Sequence, residues 1–213
     1  MKKAMIIVAI LGITMASKAQ RISFGPTAGF GHSWITNTEA DGKFNPAWNA
    51  GVSLVYSTLT HWGIGADIKF SAEGNKIENT VPGPADGPVD VTNTVNANYV
   101  RVPVKLIYFF GKNGNAVRPK IYAGPSFGFL TGGQIVTEYE GEDVKADTKD
   151  AIKNFDFGVT AAAGLNFRVA QRTWLNTDLA FYQGLSNITK NEGRTQHNGN
   201  VGVNVGLLVG LGK

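Results

Sequence analysis

The chain has 213 residues, no cysteine, 27 glycines, and 20 basic against 16 acidic side chains. This length suits one domain. The absence of cysteine excludes a disulfide framework, a thiolate metal site and a catalytic cysteine.

The N-terminal stretch MKKAMIIVAILGITMASKAQ has a charged start at Lys2 and Lys3, a short apolar run over 4–16, and small residues at Ser17 and Ala19. That layout predicts a secretory signal peptide over 1–19, cut before Gln20, and the run is too short for a comfortable membrane span. Lys2, Lys3 and Lys18 leave with it, so 17 basic residues face 16 acids in the mature chain, 20–213. The high pI therefore owes much to the leader, and a nucleic-acid partner loses its support. No later apolar stretch approaches 18 residues, which excludes a transmembrane helix in the mature chain.

Eight segments then alternate with period two, the pattern of strands with one apolar face. The first carries Ile22, Phe24, Pro26, Ala28, Phe30 and Trp34 against Ser23, Gly25, Thr27, Gly29, Gly31 and Ser33. The second carries Trp48, Ala50, Val52, Leu54 and Tyr56. In the third, Trp62, Ile64, Ala66, Ile68 and Phe70 oppose Asp67, Lys69, Ser71 and Glu73, so every charge lies on one side. The fourth, YVRVPVKLIYFF over 99–110, puts Val100, Val102, Val104, Leu106, Tyr108 and Phe110 on one face and Arg101 and Lys105 on the other. Further strands fall near 120–129, 155–167 and 175–185. The eighth alternates Val201, Val203, Val205, Leu207, Val209 and Leu211 with Asn and Gly, Leu208 being the exception.

Alternation alone does not say which face is inside. A soluble barrel would put the large apolar residues in the lumen, but an eight-stranded interior holds few side chains per layer. The Gly, Ser, Asn and Thr face has the right bulk, and a water-facing surface built of glycine would be unusual. The greasy face therefore meets lipid. The expected fold is all-β: an eight-stranded antiparallel transmembrane β-barrel with up-and-down meander connections.

The connections alternate long (37–45, 75–94, 135–152, 186–197) and short (58–61, 111–117, 169–172), as expected with the N-terminus in the periplasm and the long loops extracellular. Aromatics cluster at the strand ends: Trp34, Trp48, Phe70, Phe129, Phe155 and Phe181 toward one rim; Phe24, Tyr56, Trp62, Tyr108, Phe110 and Phe167 toward the other. Two such belts mark lipid–water boundaries.

The stretches YVRVPVKLIYFF (99–110), YAGPSFGFL (122–130), FDFGVTAAAGLNF (155–167), AFYQGLSNI (180–188) and FGPTAGFGHSW (24–34) resemble the PorT-like outer-membrane β-barrel domain family. These are small porin-family, OmpX-like barrels of Gram-negative bacteria. The resemblance implies outer-membrane location, assembly-machinery and lipid partners, and a role assisting secretion or envelope assembly. It spans the mature chain and speaks to architecture more than activity. Two features depart from the usual barrel: the chain ends Leu211-Gly212-Lys213 rather than on an aromatic residue, and Pro103 sits in mid-strand, which predicts a local bulge.

The predicted lumen face collects Asp67, Glu73, Asp156 and Asp178 against Lys69, Arg101, Lys105 and Lys120. One reading is a polar path for solute; the other is a structural ion-pair network that fills the barrel, since charges in a low-dielectric lumen must be paired. Eight strands leave no open channel, which favours the network. His32, His61 and His197 lie in different segments without metal-ligand spacing, and no catalytic constellation or cofactor motif is present. Six acids over 138–150 suggest solvated loop charge, with divalent-cation capture as the alternative. The second long loop holds three prolines and reads as a mobile surface segment. Long loops are where such a barrel would meet an extracellular or secretion-system protein, or act as an adhesin.

Overall fold

The computed structural model of the protein describes residues 22–38, 42–58, 60–82, 87–112, 114–139 and 142–211. The expected signal peptide, the Gly212-Lys213 end and Glu140 lie outside the described residues. In chain order the elements are β1 (Ile22–Ile35), β2 (Gly42–Lys43), β3 (Pro46–Ser57), β4 (Trp62–Pro82), β5 (Pro88–Phe109), β6 (Val117–Tyr139), β7 (Glu142–Asp147), α1 (Thr148–Ala151), β8 (Phe155–Ala170), β9 (Thr173–Gly184) and β10 (Asn198–Leu211). All pairings are antiparallel. The order β1-β3-β4-β5-β6-β8-β9-β10 closes on itself because β10 pairs with β1. The ring has eight strands, and β2 and β7 attach outside it, to β4 and β6.

The sequence alternation sets the faces as expected. Phe30, Ile64, Ile68 and Leu179 point outward and are 58–60% exposed, which only an apolar surrounding tolerates along so many neighbouring strands. Ser53, Asp67, Ser71, Arg101, Ser126 and Asn204 point inward and are buried.

Closure requires close backbone approach where small residues face each other. Gly31 pairs with Gly202 across the β1–β10 seam, and a Cβ at Gly31 would lie 2.1 Å from Val201 O and 2.4 Å from Gly202 Cα. Gly31→Ala is expected to lower stability by about 1–3 kcal/mol, as overpacking does, seen as a lower urea midpoint in lipid vesicles.

Two expectations are corrected. Pro103 produces no bulge: its register with β6 (Pro103↔Ser126, then Leu106↔Ala123) runs straight through, and the ladder omits the pairs beside it, where an N–H is missing. The register shift lies instead at Asn98/Tyr99, opposite Gly132 and Leu130 with Thr131 as the extra residue, and the adjoining Gly133 has a φ of +148° that suits glycine. Nor are the second and third long connections irregular. β4 and β5 pair as far as Pro82↔Pro88, β6 runs to Tyr139, and β7 and α1 fold back beside it. Prolines at strand ends cost no ladder bond, so the proline count misled.

Beyond the ring, β2, β4, β5, β6 and β7 make a protruding sheet with two unlike faces. Rows Ile77–Asn93–Thr137–Val144 and Asn75–Val95–Ile135–Ala146 lie on one face, with Val81, Val89, Val91 and Tyr139. Rows Lys76–Thr94–Val136–Lys145 and Glu78–Thr92–Glu138–Asp143 lie on the other. Val95 packs on the buried cluster at the barrel mouth, so the apolar face is the inward one.

Candidate functional site

The lumen is arranged in layers along the barrel axis. At the long-loop end, Ile35, Ala97, Tyr99, Leu130, Ile152 and Ile188 form a buried apolar layer. Ile152 and Ile188 come from the third and fourth connections, tied together by the Ile152↔Thr189 bridge and by Lys153 N–H donating to Ile188 O at 2.7 Å. Thr148 Oγ1 pins α1 to the barrel by donating to Asn96 O at 2.7 Å.

Directly beneath lies a charged cluster. Arg101 Nε donates to Glu73 Oε1, and Arg101 Nη2 donates to Glu73 Oε2 at 2.5 Å and to Asp156 Oδ2 at 2.8 Å. Asp156, fully buried, also accepts from Tyr182 Oη and Ser186 Oγ at 2.9 Å and from Asn198 Nδ2 at 3.0 Å. The guanidinium lies between aromatic rings, 4.9 Å from the Tyr99 centroid and 4.0 Å from that of Tyr182. Such cation–π contacts add to the charge-assisted bonds where water is excluded.

A second cluster sits toward the short-turn end. Lys105 Nζ is 2.5 Å from Asp67 Oδ1. Lys120 Nζ is 2.9 Å from Asp178 Oδ1 and donates to Asn176 Oδ1 at 3.0 Å. Below it, Val55, Ile107, Phe109, Tyr122 and Leu208 make a second apolar layer, with the Arg118 guanidinium 4.7 Å from the Phe109 centroid. Two cavities of about 50 and 20 Å³ lie in the lumen and share Lys69 and Asn204 as lining. These volumes hold a few waters and one water respectively.

Of the eight predicted lumen charges, seven are ion-paired: Asp67, Glu73, Arg101, Lys105, Lys120, Asp156 and Asp178. Lys69 points the same way but has no carboxylate within 4.0 Å among the described residues, and it faces both cavities. Tyr99, Tyr182, Ser186 and Asn198 were missed. Tyr99 was visible in principle, two positions from Arg101 on the same face; Ser186 lies in the connection just past β9 and Asn198 at the start of β10, where alternation fades.

The predicted aromatics fall in two rings. At the long-loop rim Trp34 meets Phe181 at 6.0 Å, Trp48 meets Phe70 at 5.4 Å and Phe129 meets Phe155 at 5.5 Å. At the other rim Trp62 and Phe110 each meet Tyr108 at 5.1 Å, and Phe24 is exposed, with Tyr56 and Phe167 half-buried on the same outward side. Among the described residues the loop acids do not converge. Asp147 caps α1 by accepting from Lys149 N–H at 2.8 Å, Asp143 lies 3.5 Å from Lys145, and Glu138 and Glu142 are on opposite faces. Among the described residues no three His, Asp or Glu side chains are grouped to hold a metal ion. His32 Nδ1 accepts from Asn45 N–H at 3.0 Å; His61 and His197 donate to Phe109 O and Ser186 O at 2.8 Å.

Several solved structures are similar to this chain at low identity. Neisserial surface protein A is 12% identical, with 89% of this chain and 97% of that one aligned and a TM-score of 0.47. The outer membrane protein OprG of Pseudomonas aeruginosa is 14% identical over 88% and 93%, with a TM-score of 0.43. Ail, the attachment invasion locus protein of Yersinia pestis, is 11% identical over 87% and 97%, with a TM-score of 0.42. No curated protein matches the sequence. The family model described as "Outer membrane protein beta-barrel domain" matches residues 15–190. With its closed ring, its outward apolar face and that match over most of its length, the chain belongs to the outer membrane protein beta-barrel domain family.

Proposed function

We propose that the protein is a closed barrel that holds a folded sheet on the cell surface, where the open edge of β7 takes up an extended segment of a protein partner. In this reading the lumen charges are structural, plugging the barrel and fixing strand register, and the short-turn end faces the periplasm. The observation that carries it is the continuation of β4, β5 and β6 past the long-loop rim into a sheet whose last strand pairs on one side only among the described residues. A bare strand edge is a template for another chain. All six β7 residues are exposed, and Val144, at the margin of the apolar face, is 67% exposed. Glu142, Asp143 and Asp147 against Lys145 favour a basic segment. A second copy of β7 would set acids opposite acids. A secreted protein passing the barrel fits the same edge, which is how the PorT-like resemblance to secretion-accessory barrels enters the proposal.

A photo-crosslinking residue at Val144 in intact cells is expected to give protein adducts, while one at the outward-facing Ile68 gives none. Replacing 134–147 by a short turn should abolish a partner-dependent phenotype while heat-modifiable gel mobility shows the barrel intact. Equal adducts at both sites, or an unchanged phenotype, would sink the reading.

A further inference from the structure

Charge is unevenly distributed along the barrel. Among the described residues, no carboxylate side chain lies beyond Asp67 and Asp178 toward the short turns, where Lys112, Arg118, Arg168 and Arg172 are found. Arg118 is buried in the lumen; Lys112, Arg168 and Arg172 are exposed. The fold brings those three to one sector of the rim. β6 and β8 are neighbours, Val117 pairs with Phe167, and Arg168 N–H donates to Ala116 O at 2.7 Å in the turn that begins near Lys112. Arg172 lies in the tight turn from β8 to β9, its carbonyl accepting from Gly210 N–H at 2.7 Å.

Apolar side chains stand open among these cations: Val117 is 45% and Val169 55% exposed. Exposed valines beside arginines match the boundary between acyl chains and headgroups, where long basic side chains lay their stems on apolar surface and carry the charge outward. Guanidinium forks fit paired phosphate oxygens. At the opposite end acidic side chains are interspersed with the cations, as in Lys43–Glu78 and Lys145–Asp143.

We propose that this sector binds the phosphodiester headgroups of anionic phospholipids, with Lys112, Arg168 and Arg172 as the ligating side chains. The inference needs only that the barrel spans a bilayer, so failure of the β7 reading leaves it standing.

The test is native mass spectrometry of the protein released from nanodiscs of equal parts phosphatidylethanolamine and phosphatidylglycerol. The parent is expected to retain phosphatidylglycerol several-fold over phosphatidylethanolamine, and Lys112→Gln/Arg168→Gln/Arg172→Gln is expected to lose that preference. Lys149→Gln/Lys190→Gln, at the other end, should keep it. Heat-modifiable mobility reports folding of each variant, and Arg168→Gln alone should give a partial loss if the triple variant fails to fold. Equal preference in the parent and a folded triple variant would overturn the proposal. So would complete displacement of the lipid by inorganic phosphate, which would mark a free-anion site instead.

Discussion

Asp156→Ala is expected to lower the stability of the barrel by about 3–5 kcal/mol, the range for breaking a buried ion pair. The carboxylate is fully buried and accepts from Arg101, Tyr182, Ser186 and Asn198, which come from β5, β9, the β9–β10 connection and β10. Its removal leaves a guanidinium with half its anionic partners and three neutral donors facing a void. Asp156→Asn keeps the volume and some of the bonds and should cost less, about 1.5–3 kcal/mol, the worth of hydrogen bonds to a charged group. Urea unfolding in lipid vesicles, followed by tryptophan fluorescence and gel mobility, measures both. A loss below about 1 kcal/mol for the alanine variant, the scale of a surface pair, would mean that the cluster is decorative.

A planar bilayer holding the refolded barrel is expected to carry no steady current. The charged middle of the lumen holds cavities of only about 50 and 20 Å³, and an apolar layer lies at each end of it. An ion crossing those layers would shed its hydration with no partner in return. Arg101→Ala/Lys105→Ala clears two side chains from the charged middle and leaves Glu73, Asp67 and Asp156 in excess, yet both layers persist. That variant, too, should stay silent. Steady current through the parent would make the lumen a solute path and Arg101, Lys105 and Lys69 its lining. Current through the double variant alone would show that the charged middle, rather than the apolar layers, forms the seal.

What could be read in the sequence was whatever the bilayer imposes. Strands such as β10 keep a strict two-residue rhythm because lipid lies on one side and a narrow interior on the other. Leu208, the one break in that rhythm, is buried in the layer at the short-turn end. Above the rim the constraint weakens: Asn75, Asn79 and Asn93 share a face with Ile77 and Val91, so the sequence of the β4–β5 hairpin reads as a loop. The inward charges were visible as a set, but their partners were not. Pairing Arg101 with Asp156 depends on how far β5 and β8 are shifted relative to each other, and no local pattern encodes that.

The seam between β1 and β10 has a consequence for how the barrel is made. Its twelve residue pairs join the first and last strands of the ring, as in Thr27 Oγ1 donating to Val205 O across 178 positions. The open side of β1 can be completed only by β10. Until then both carry bare amide edges that hydrocarbon cannot satisfy, so a half-built ring has no resting place in the bilayer. Closure of the ring therefore waits for β10, and a chain lacking β10 is expected to yield no smaller barrel.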